Sequence, residues 1–229
     1  MKKLLFFLII LILASLIVLK FIFLYGSKYR IAHAGGGYSS KIYTNSIEAL
    51  NYNKNKYEFF EIDFFLTKDN KLVCLHDKHE SLKSFNDFEI YLNTNSLYKH
   101  CTYKTLKKWL NENPTKKIVT DVKDDNIKAL IFISKNFENF ENRFIPQIYY
   151  SKNYNKVRKI GFKDIIWTLY RCCSEEEGND KVISEAKKMK LFAITMPSHR
   201  SAGGLAKELK KINIRTYTHT INSRKKMMK

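Results

Sequence analysis

The stretch YEFFEIDFFL, residues 57–66, decides the fold, because it combines strand-forming residues with two acidic side chains. Phenylalanine and isoleucine are favoured in β-strands, whose successive side chains point to opposite faces. Glu61 and Asp63 therefore share one face of the strand, whereas the phenylalanines and the isoleucine beside them share the other. This pattern predicts a sheet with one packed apolar face and one acidic face.

Strand-like and helix-like runs alternate on both sides of this stretch. Strands are predicted at 29–33, 57–66, 117–122, 144–149, 164–169, 191–195 and 214–220, with a short extension at 71–75; helices are predicted at 45–53, 103–111, 125–136, 154–160, 179–189 and 204–211. Such alternation is typical of an α/β protein with a parallel sheet covered by helices. Seven strands are one short of an α/β barrel, and an open doubly wound sheet would tolerate seven, so the strand count alone leaves that alternative open.

Residues 1–28 are predicted to form an N-terminal transmembrane or signal-anchor segment. The run from Leu4 to Leu19 carries no charge, and about twenty apolar residues suffice to span a bilayer as a helix. A cleaved signal peptide is the alternative, but the apolar run is too long and lacks a small-x-small cleavage site. We expect a single-pass membrane protein. Lysines at both ends of the segment leave its orientation open, and an extracytoplasmic domain is favoured.

The remaining chain, residues 29–229, has the length of one domain. Its lysines are scattered, so the net charge of +19 does not predict nucleic-acid binding. A basic domain near a membrane is instead attracted to anionic headgroups. Cys74, Cys101 and the pair Cys172-Cys173 show neither a zinc spacing nor a disulfide framework, and we expect unpaired core or surface residues.

Acidic side chains at two strand ends indicate a metal site. Two carboxylates side by side repel each other, and a hard divalent cation between them relieves that repulsion. A solvated edge strand is the alternative for Glu61 and Asp63. Asp121 could supply a third carboxylate and Lys123 an ammonium for a phosphate oxygen, although a surface ion pair fits this second segment equally well.

Two histidines flank the acidic pair in the sequence. His33 ends a short apolar run and precedes three glycines, which let the backbone turn tightly next to a ligand. His76 is followed by Asp77, which could orient its imidazole. Histidines on either side of a metal suit a general base and a general acid, because their unperturbed pKa lies near neutrality. Further along, Trp167, Tyr170 and His219 fall near strand ends, where they could line a pocket or pack in the core or rim.

These motifs resemble the glycerophosphodiester phosphodiesterase family of barrel phosphodiesterases. That family shows His-Arg-Gly, Glu-Asn-Thr before a helix, Glu-x-Asp, His-Asp, an acid-x-Lys element and a Trp-Thr-x-Asn tail. The corresponding segments here are His33-Ala34-Gly35, Thr44-Asn45-Ser46, Glu61-Ile62-Asp63, His76-Asp77, Asp121-Val122-Lys123 and His219-Thr220-Ile221-Asn222. The resemblance spans about residues 29–223, with Ala34 and Thr44 as departures. It implies a TIM-type barrel, here with seven of the eight strands.

The resemblance also implies the chemistry. Glu61, Asp63 and Asp121 would bind one Mg²⁺ or Ca²⁺, His33 and His76 would form the acid–base pair, and Lys123 and Gly35 would contact the substrate. The expected function is metal-dependent hydrolysis of a glycerophosphodiester, or of a lipid- or glycan-linked phosphodiester. The alternatives are a phospholipase D-like activity that stops at a cyclic phosphate, and a degenerate domain that only binds headgroups. The expected partners are this substrate and, through the N-terminal helix, a membrane.

Overall fold

The computed structural model describes residues 7, 9–18, 30–77, 83–94, 98–170 and 178–221. In these parts of the chain the strands are β1 Ile31–Ala32, β2 Phe59–Leu66, β3 Leu72–Cys74, β4 Lys117–Val122, β5 Phe144–Ile148, β6 Ile166–Thr168, β7 Ala193–Pro197 and β8 Thr216–His219. The helices are α1 Ile47–Asn53, α2 Phe85–Thr94, α3 Tyr103–Glu112, α4 Asn126–Asn136, α5 Phe140–Arg143, α6 Tyr154–Ile160, α7 Gly178–Lys187, α8 Ser198–Ala202 and α9 Leu205–Lys211.

Seven of these strands form one parallel sheet in the order β1-β2-β4-β5-β6-β7-β8, and β3 pairs antiparallel with β2 outside that order. Each new parallel strand is added next to the previous one, and the order never reverses. A doubly wound sheet reverses its strand order at a switch point. The topology is therefore that of an incomplete TIM barrel, and the predicted seven strands are confirmed.

The two faces of the sheet bury different apolar clusters. Phe60, Ile62 and Phe64 pack in the large cluster between the strands and the surrounding helices, where Trp167 is also buried. Phe59 shares the opposite face with Glu61, and it packs with residues of the neighbouring strands in a smaller interior cluster of Phe59, Val119, Ile145, Ile166 and Ala193. The barrel interior thus has an apolar layer beneath the acidic side chains. Trp167 belongs to the outer core rather than to a pocket.

The sheet is open between its first and last strands. In the part of the chain that the structure describes, β1 pairs with β2 and β8 pairs with β7, and no ladder joins β8 to β1. All four residues of β8 are only half-buried, in contrast to the buried centre of β4. The two edge strands therefore flank a gap in the barrel wall.

Most of the predicted membrane segment, residues 1–28, lies outside the described residues. Residues 9–18 are helical and their side chains are exposed. Within the described residues, no helix is both long and apolar enough to cross a bilayer. The predicted transmembrane helix is therefore not supported by this part of the chain.

Two sequence-based expectations about residues 70–101 were wrong. Cys74 and Cys101 form a disulfide, with their Cα atoms 5.0 Å apart, because the Cys74 N–H donates to the Cys101 carbonyl and draws the two segments together. The stretch after His76 had no predicted element, yet α2 forms there and packs Phe85, Phe88 and Leu92 against β2 and β3.

Candidate active site

Three carboxylates meet at the carboxyl ends of β2 and β4. The parallel register places Asp63 directly beside Asp121, and Glu61 lies two residues earlier on the same face of β2. All three side chains are buried, and one oxygen of each lies within 4.8 Å of the others. The structure thus brings together the three acidic residues that the sequence singled out, inside the barrel rather than on a solvated edge.

Lys123 lies among these carboxylates. Its Nζ atom is 2.7 Å from Asp63 Oδ1 and 2.8 Å from Asp121 Oδ2. Burial alone would lower the pKa of Lys123, but the attraction of Asp121 and Asp63 outweighs it and raises that pKa above its usual range. Lys123 therefore stays charged and neutralises part of the acidic cluster. It is a half-buried partner of two acids and not one member of a surface ion pair.

Glu61 is the least compensated of the three acids. Its Oε2 atom accepts a 2.7 Å hydrogen bond from the Ala34 N–H, and its buried Oε1 atom has no hydrogen-bond partner among the described residues. Burial first, then repulsion by Asp63 and Asp121, raise the pKa of Glu61 well above its usual range. A carboxylate in this situation is stabilised by a cation.

The donor set fits a hard divalent ion. Glu61, Asp63 and Asp121 offer carboxylate oxygens only, which are the ligands that Mg²⁺ and Ca²⁺ prefer. The buried Oε1 atom of Glu61, which has no hydrogen-bond partner among the described residues, is free to act as a ligand. These three side chains could therefore hold a divalent metal ion, and the choice between the two ions stays a prediction.

Asn45 and Tyr149 hold the acidic side chains in place. Asn45 is completely buried; its Nδ2 donates to Asp63 Oδ2 at 2.8 Å, and its Oδ1 accepts from the Asp63 N–H at 2.9 Å. The Tyr149 hydroxyl, at the end of β5, donates to Asp121 Oδ1. The sequence alone indicated no such role for Asn45 or for Tyr149. Strand alternation could have found Tyr149, because it lies two residues beyond the interior-facing Gln147.

The two predicted histidines face the same opening. His33 directly follows β1, and its Nε2 atom lies 3.8 Å from Glu61 Oε2. His76 follows β3, and its Nδ1 atom lies 2.9 Å from Asp77 Oδ1. The ring of Tyr43 lies between them, with its centroid 4.9 Å from the His33 ring and 4.6 Å from the His76 ring. Tyr43 was not predicted, because its position depends on a loop with several residues at positive φ.

The glycines after His33 have separate structural requirements. Gly35 has φ +79° and is packed against α1, where a Cβ would lie 3.6 Å from the Ala49 Cβ. Gly36 has φ +87°, and a Cβ there would lie only 2.6 Å from Asn53 Nδ2. The Asn53 amide in turn donates to the Gly37 carbonyl at 3.0 Å. The glycines therefore allow the tight turn that directs His33, and a substrate contact of Gly35 stays a prediction.

Comparison with known proteins gives the family. The model of the glycerophosphoryl diester phosphodiesterase family matches residues 33–229, which include every residue of the site. The chain belongs to this family. Its members are phosphoric diester hydrolases, so this phosphodiesterase is an enzyme of that class. No curated protein matches the sequence.

Solved structures match this phosphodiesterase at low identity. A glycerophosphodiester phosphodiesterase from Parabacteroides distasonis matches with a TM-score of 0.65 and 15% identity over 88% of this chain and 87% of that one. The protein of that name from Thermotoga maritima matches with a TM-score of 0.63 and 19% identity over 86% and 88% of the two chains. At this identity the likeness shows the shared barrel fold alone.

Proposed function

We propose that this phosphodiesterase hydrolyses glycerophosphodiesters with one divalent metal ion and the histidine pair His33 and His76. The observation that carries the proposal is the buried carboxylate triad at the carboxyl ends of β2 and β4, with both imidazoles at the same opening. Barrel enzymes carry their active sites at this end. A divalent ion held by the triad would neutralise charge on the phosphoryl oxygens.

His33 is suited to accept the proton of the attacking hydroxyl. Burial lowers its pKa more than the attraction of Asp63 raises it, so the ring is neutral at pH 7 and has a free lone pair. In His76, Asp77 engages the Nδ1 atom and leaves Nε2 for the substrate. His76 in its imidazolium form then gives the Nε2 proton to the leaving alcohol as the phosphorus–oxygen bond breaks, while Lys123 stabilises the negative charge on phosphorus-bound oxygens.

We propose that the substrate is lipid-derived or glycan-linked. The enzyme would bind it outside the cytoplasm, at a membrane surface. The Cys74–Cys101 disulfide supports the compartment, because disulfides persist mainly in oxidising environments. The apolar run of residues 4–19 supports membrane anchoring, and the net charge of +19 favours anionic headgroups.

The test is turnover by the full-length chain in a mild detergent, with a panel of glycerophosphodiesters and lysophospholipids in Mg²⁺, Ca²⁺ or EDTA. We expect activity that EDTA abolishes and that His33→Gln lowers by about 10²–10⁴-fold. Glu61→Gln should remove it as well, whereas Glu112→Gln, at the opposite end of the barrel, should retain it. Turnover that survives both EDTA and Glu61→Gln contradicts the proposal.

Phosphorus NMR of the products separates hydrolysis from cyclisation. We expect a phosphomonoester as the final product. An accumulating cyclic phosphate would assign the phospholipase D-like outcome, and folded protein that binds metal without turnover would assign a headgroup-binding domain.

A further inference from the structure

One tyrosine at the barrel mouth contacts both histidines of the proposed acid–base pair. The Tyr43 ring meets the His33 ring edge to face, with an angle of 85° between the planes, and it meets the His76 ring at a tilt of 54°. Aromatic rings prefer such arrangements to face-to-face stacking. Because His33 follows β1 and His76 follows β3, the Tyr43 ring bridges two separate segments of the mouth.

The polar contacts of the two imidazoles hold them only weakly. His33 Nε2 lies 3.8 Å from Glu61 Oε2, which is longer than a hydrogen bond. His76 Nδ1 is bonded to Asp77, but the Asp77 side chain is 90% exposed, and exposed ion pairs contribute little free energy. The side chains of the two histidines are themselves 34% and 36% exposed. The Tyr43 ring is therefore the contact that His33 and His76 share, and it can fix the direction of both rings.

The backbone holds Tyr43 in a conformation that costs free energy. Its φ angle is +60°, in the left-handed region that residues with a Cβ rarely adopt. Hydrogen bonds of Asn45 fix the loop there: the Asn45 N–H donates to the Ala34 carbonyl at 3.1 Å, and the Asn45 carbonyl accepts from the Cys101 N–H at 2.7 Å. A glycine would adopt this φ without that cost. Residues kept in such conformations cluster at functional sites, which indicates that the site uses the tyrosine side chain.

We propose that Tyr43 is a positioning residue, whose ring holds the imidazoles of His33 and His76 at a fixed separation across the opening. This inference rests on the proposed function, in which these two rings move the protons of the reaction. Proton transfer requires the donor and acceptor atoms within hydrogen-bond reach, and a displacement of about 1 Å can cost 10²-fold in rate. The ring acts through the histidines and needs no contact with the substrate.

The test measures kcat and KM of the full-length chain in a mild detergent with Mg²⁺. Tyr43→Phe keeps the ring, whereas Tyr43→Leu replaces it with an apolar chain that cannot bridge the imidazoles in the same way. On the glycerol phosphodiester of ethanol, we expect Tyr43→Leu to lower kcat by about 10–100-fold and to change KM by less than about threefold. Tyr43→Phe should keep kcat within about threefold of wild type, because the ring makes the contacts.

A second substrate separates positioning from general damage. The glycerol phosphodiester of p-nitrophenol differs from the first probe only in its leaving alcohol, and p-nitrophenolate departs without being protonated. Its turnover therefore depends on His33 but not on a proton from His76. We expect Tyr43→Leu to lose about tenfold less kcat on this ester than on the ethanol ester. A distorted fold would lower the turnover of both esters equally.

Matched variants control for the loop and its backbone. Tyr38 lies in the same loop, but its ring packs against the Tyr52 ring, with centroids 5.9 Å apart, so Tyr38→Leu should retain kcat on both esters. Tyr43→Gly and Tyr43→Ala both remove the ring, and glycine also removes the cost of the positive φ. Tyr43→Gly should therefore melt at a higher temperature than Tyr43→Ala, yet lose as much turnover.

NMR relaxation of histidine-labelled protein gives a readout that needs no turnover. We expect the ring carbons of His33 and His76 to be ordered in wild type and in Tyr43→Phe, and to become more mobile in Tyr43→Leu.

Wild-type kcat in Tyr43→Leu, or an equal loss on the two esters with both histidine rings still ordered, would overturn the positioning role. Failure of the proposed function gives a different result, because wild type would then turn over neither ester. The relaxation measurement would still decide whether Tyr43 orders the two rings.

Discussion

At the scale of single residues, Asn45 is the side chain on which the geometry of Asp63 depends. It makes two hydrogen bonds to Asp63 and lies completely buried. Replacing Asn45 with Ala leaves the Asp63 N–H without its acceptor, which costs about 1–3 kcal/mol. The Asp63 carboxylate also becomes free to rotate, and loss of a residue that orients a metal ligand typically weakens metal affinity about 10–100-fold.

Calorimetric titration with Mg²⁺ and thermal unfolding measure these two effects. Asn55→Ala, which removes an exposed amide close to α1 in the sequence, is the matched control and should change neither quantity. If the Asn45→Ala variant binds metal as tightly as wild type does, other contacts must orient Asp63.

The burial of the His100 side chain predicts that the stability of the protein depends on pH. Burial lowers its pKa in the folded state from the usual 6.5, and its Nδ1 atom is buried without a partner among the described residues. The unfolded chain therefore binds more protons than the folded one as the pH falls below about 6.5. The contribution of His100 destabilises the protein from that pH downward, until the folded ring is protonated as well.

The measurement is the difference in free energy of unfolding between wild type and His100→Gln, by urea titration from pH 7.5 to pH 5. Other groups, such as Glu61 with its raised pKa, are present in both proteins and cancel in this difference. We expect His100→Gln to lose less stability than wild type between pH 7 and pH 5. Parallel curves for the two proteins would refute the assignment.

Strand alternation explains which site residues the sequence predicted. Glu61, Asp63 and Asp121 lie on long strands whose period of two fixes the face of each side chain. Tyr43 and Asn45 lie in a loop where both adopt positive φ, a conformation that no periodic pattern encodes. Their roles come from tertiary contacts and had to be read from the structure.

At the scale of elements, the Cys74–Cys101 disulfide joins β3 to the segment before α3. It closes a loop of 27 residues and lies two residues from His76. A cross-link of this span removes chain entropy worth roughly 3–4 kcal/mol from the unfolded state. We expect the double variant Cys74→Ala, Cys101→Ala to lose that much stability and some turnover, because β3 and His76 become less fixed.

Thermal unfolding with and without dithiothreitol tests the disulfide. The reductant should lower the melting temperature of wild type toward that of the double variant and should leave the double variant unaffected. A wild-type melting temperature that is the same with and without the reductant would contradict a stabilising disulfide. Cysteine spacing could not predict this pairing, since the fold alone brings β3 next to residue 101.

Elements with a clear period were predicted better than the others. The bounds of β4 and α6 agree with the sequence prediction. β6 is shorter than predicted, and so is β1 within the described residues 30–33, because only their central residues pair with neighbours. The helix α2 was missed although Phe85, Phe88 and Leu92 follow a helical spacing. The polar residues between these three positions made the helical pattern weak in the sequence, whereas in the structure packing against β3 stabilises the helix.

At the scale of the whole molecule, the open sheet predicts an uneven distribution of stability. β4 lies between two paired strands and is buried from Ile118 to Val122, whereas β8 is half-buried and has one paired neighbour in the described part of the chain. Local opening requires the least free energy where few contacts and one ladder must be broken. We expect the amides of β8 to exchange with deuterium about 100-fold faster or more than those of β4.

Hydrogen exchange followed by mass spectrometry measures this gradient on peptides from the two strands. Peptides from β7, which is paired on both sides and buried, are the internal control and should exchange nearly as slowly as β4. Equal protection of β8 and β4 would show that the gap is covered in solution and that the barrel behaves as one closed unit. The expected gradient would instead mean that the triad lies on the most stable strands, whereas His219 ends one edge strand beside the gap and His33 directly follows the other. Substrate binding across that gap should then slow exchange in β8 more than in β4, because a ligand that contacts an edge strand stabilises it against local opening.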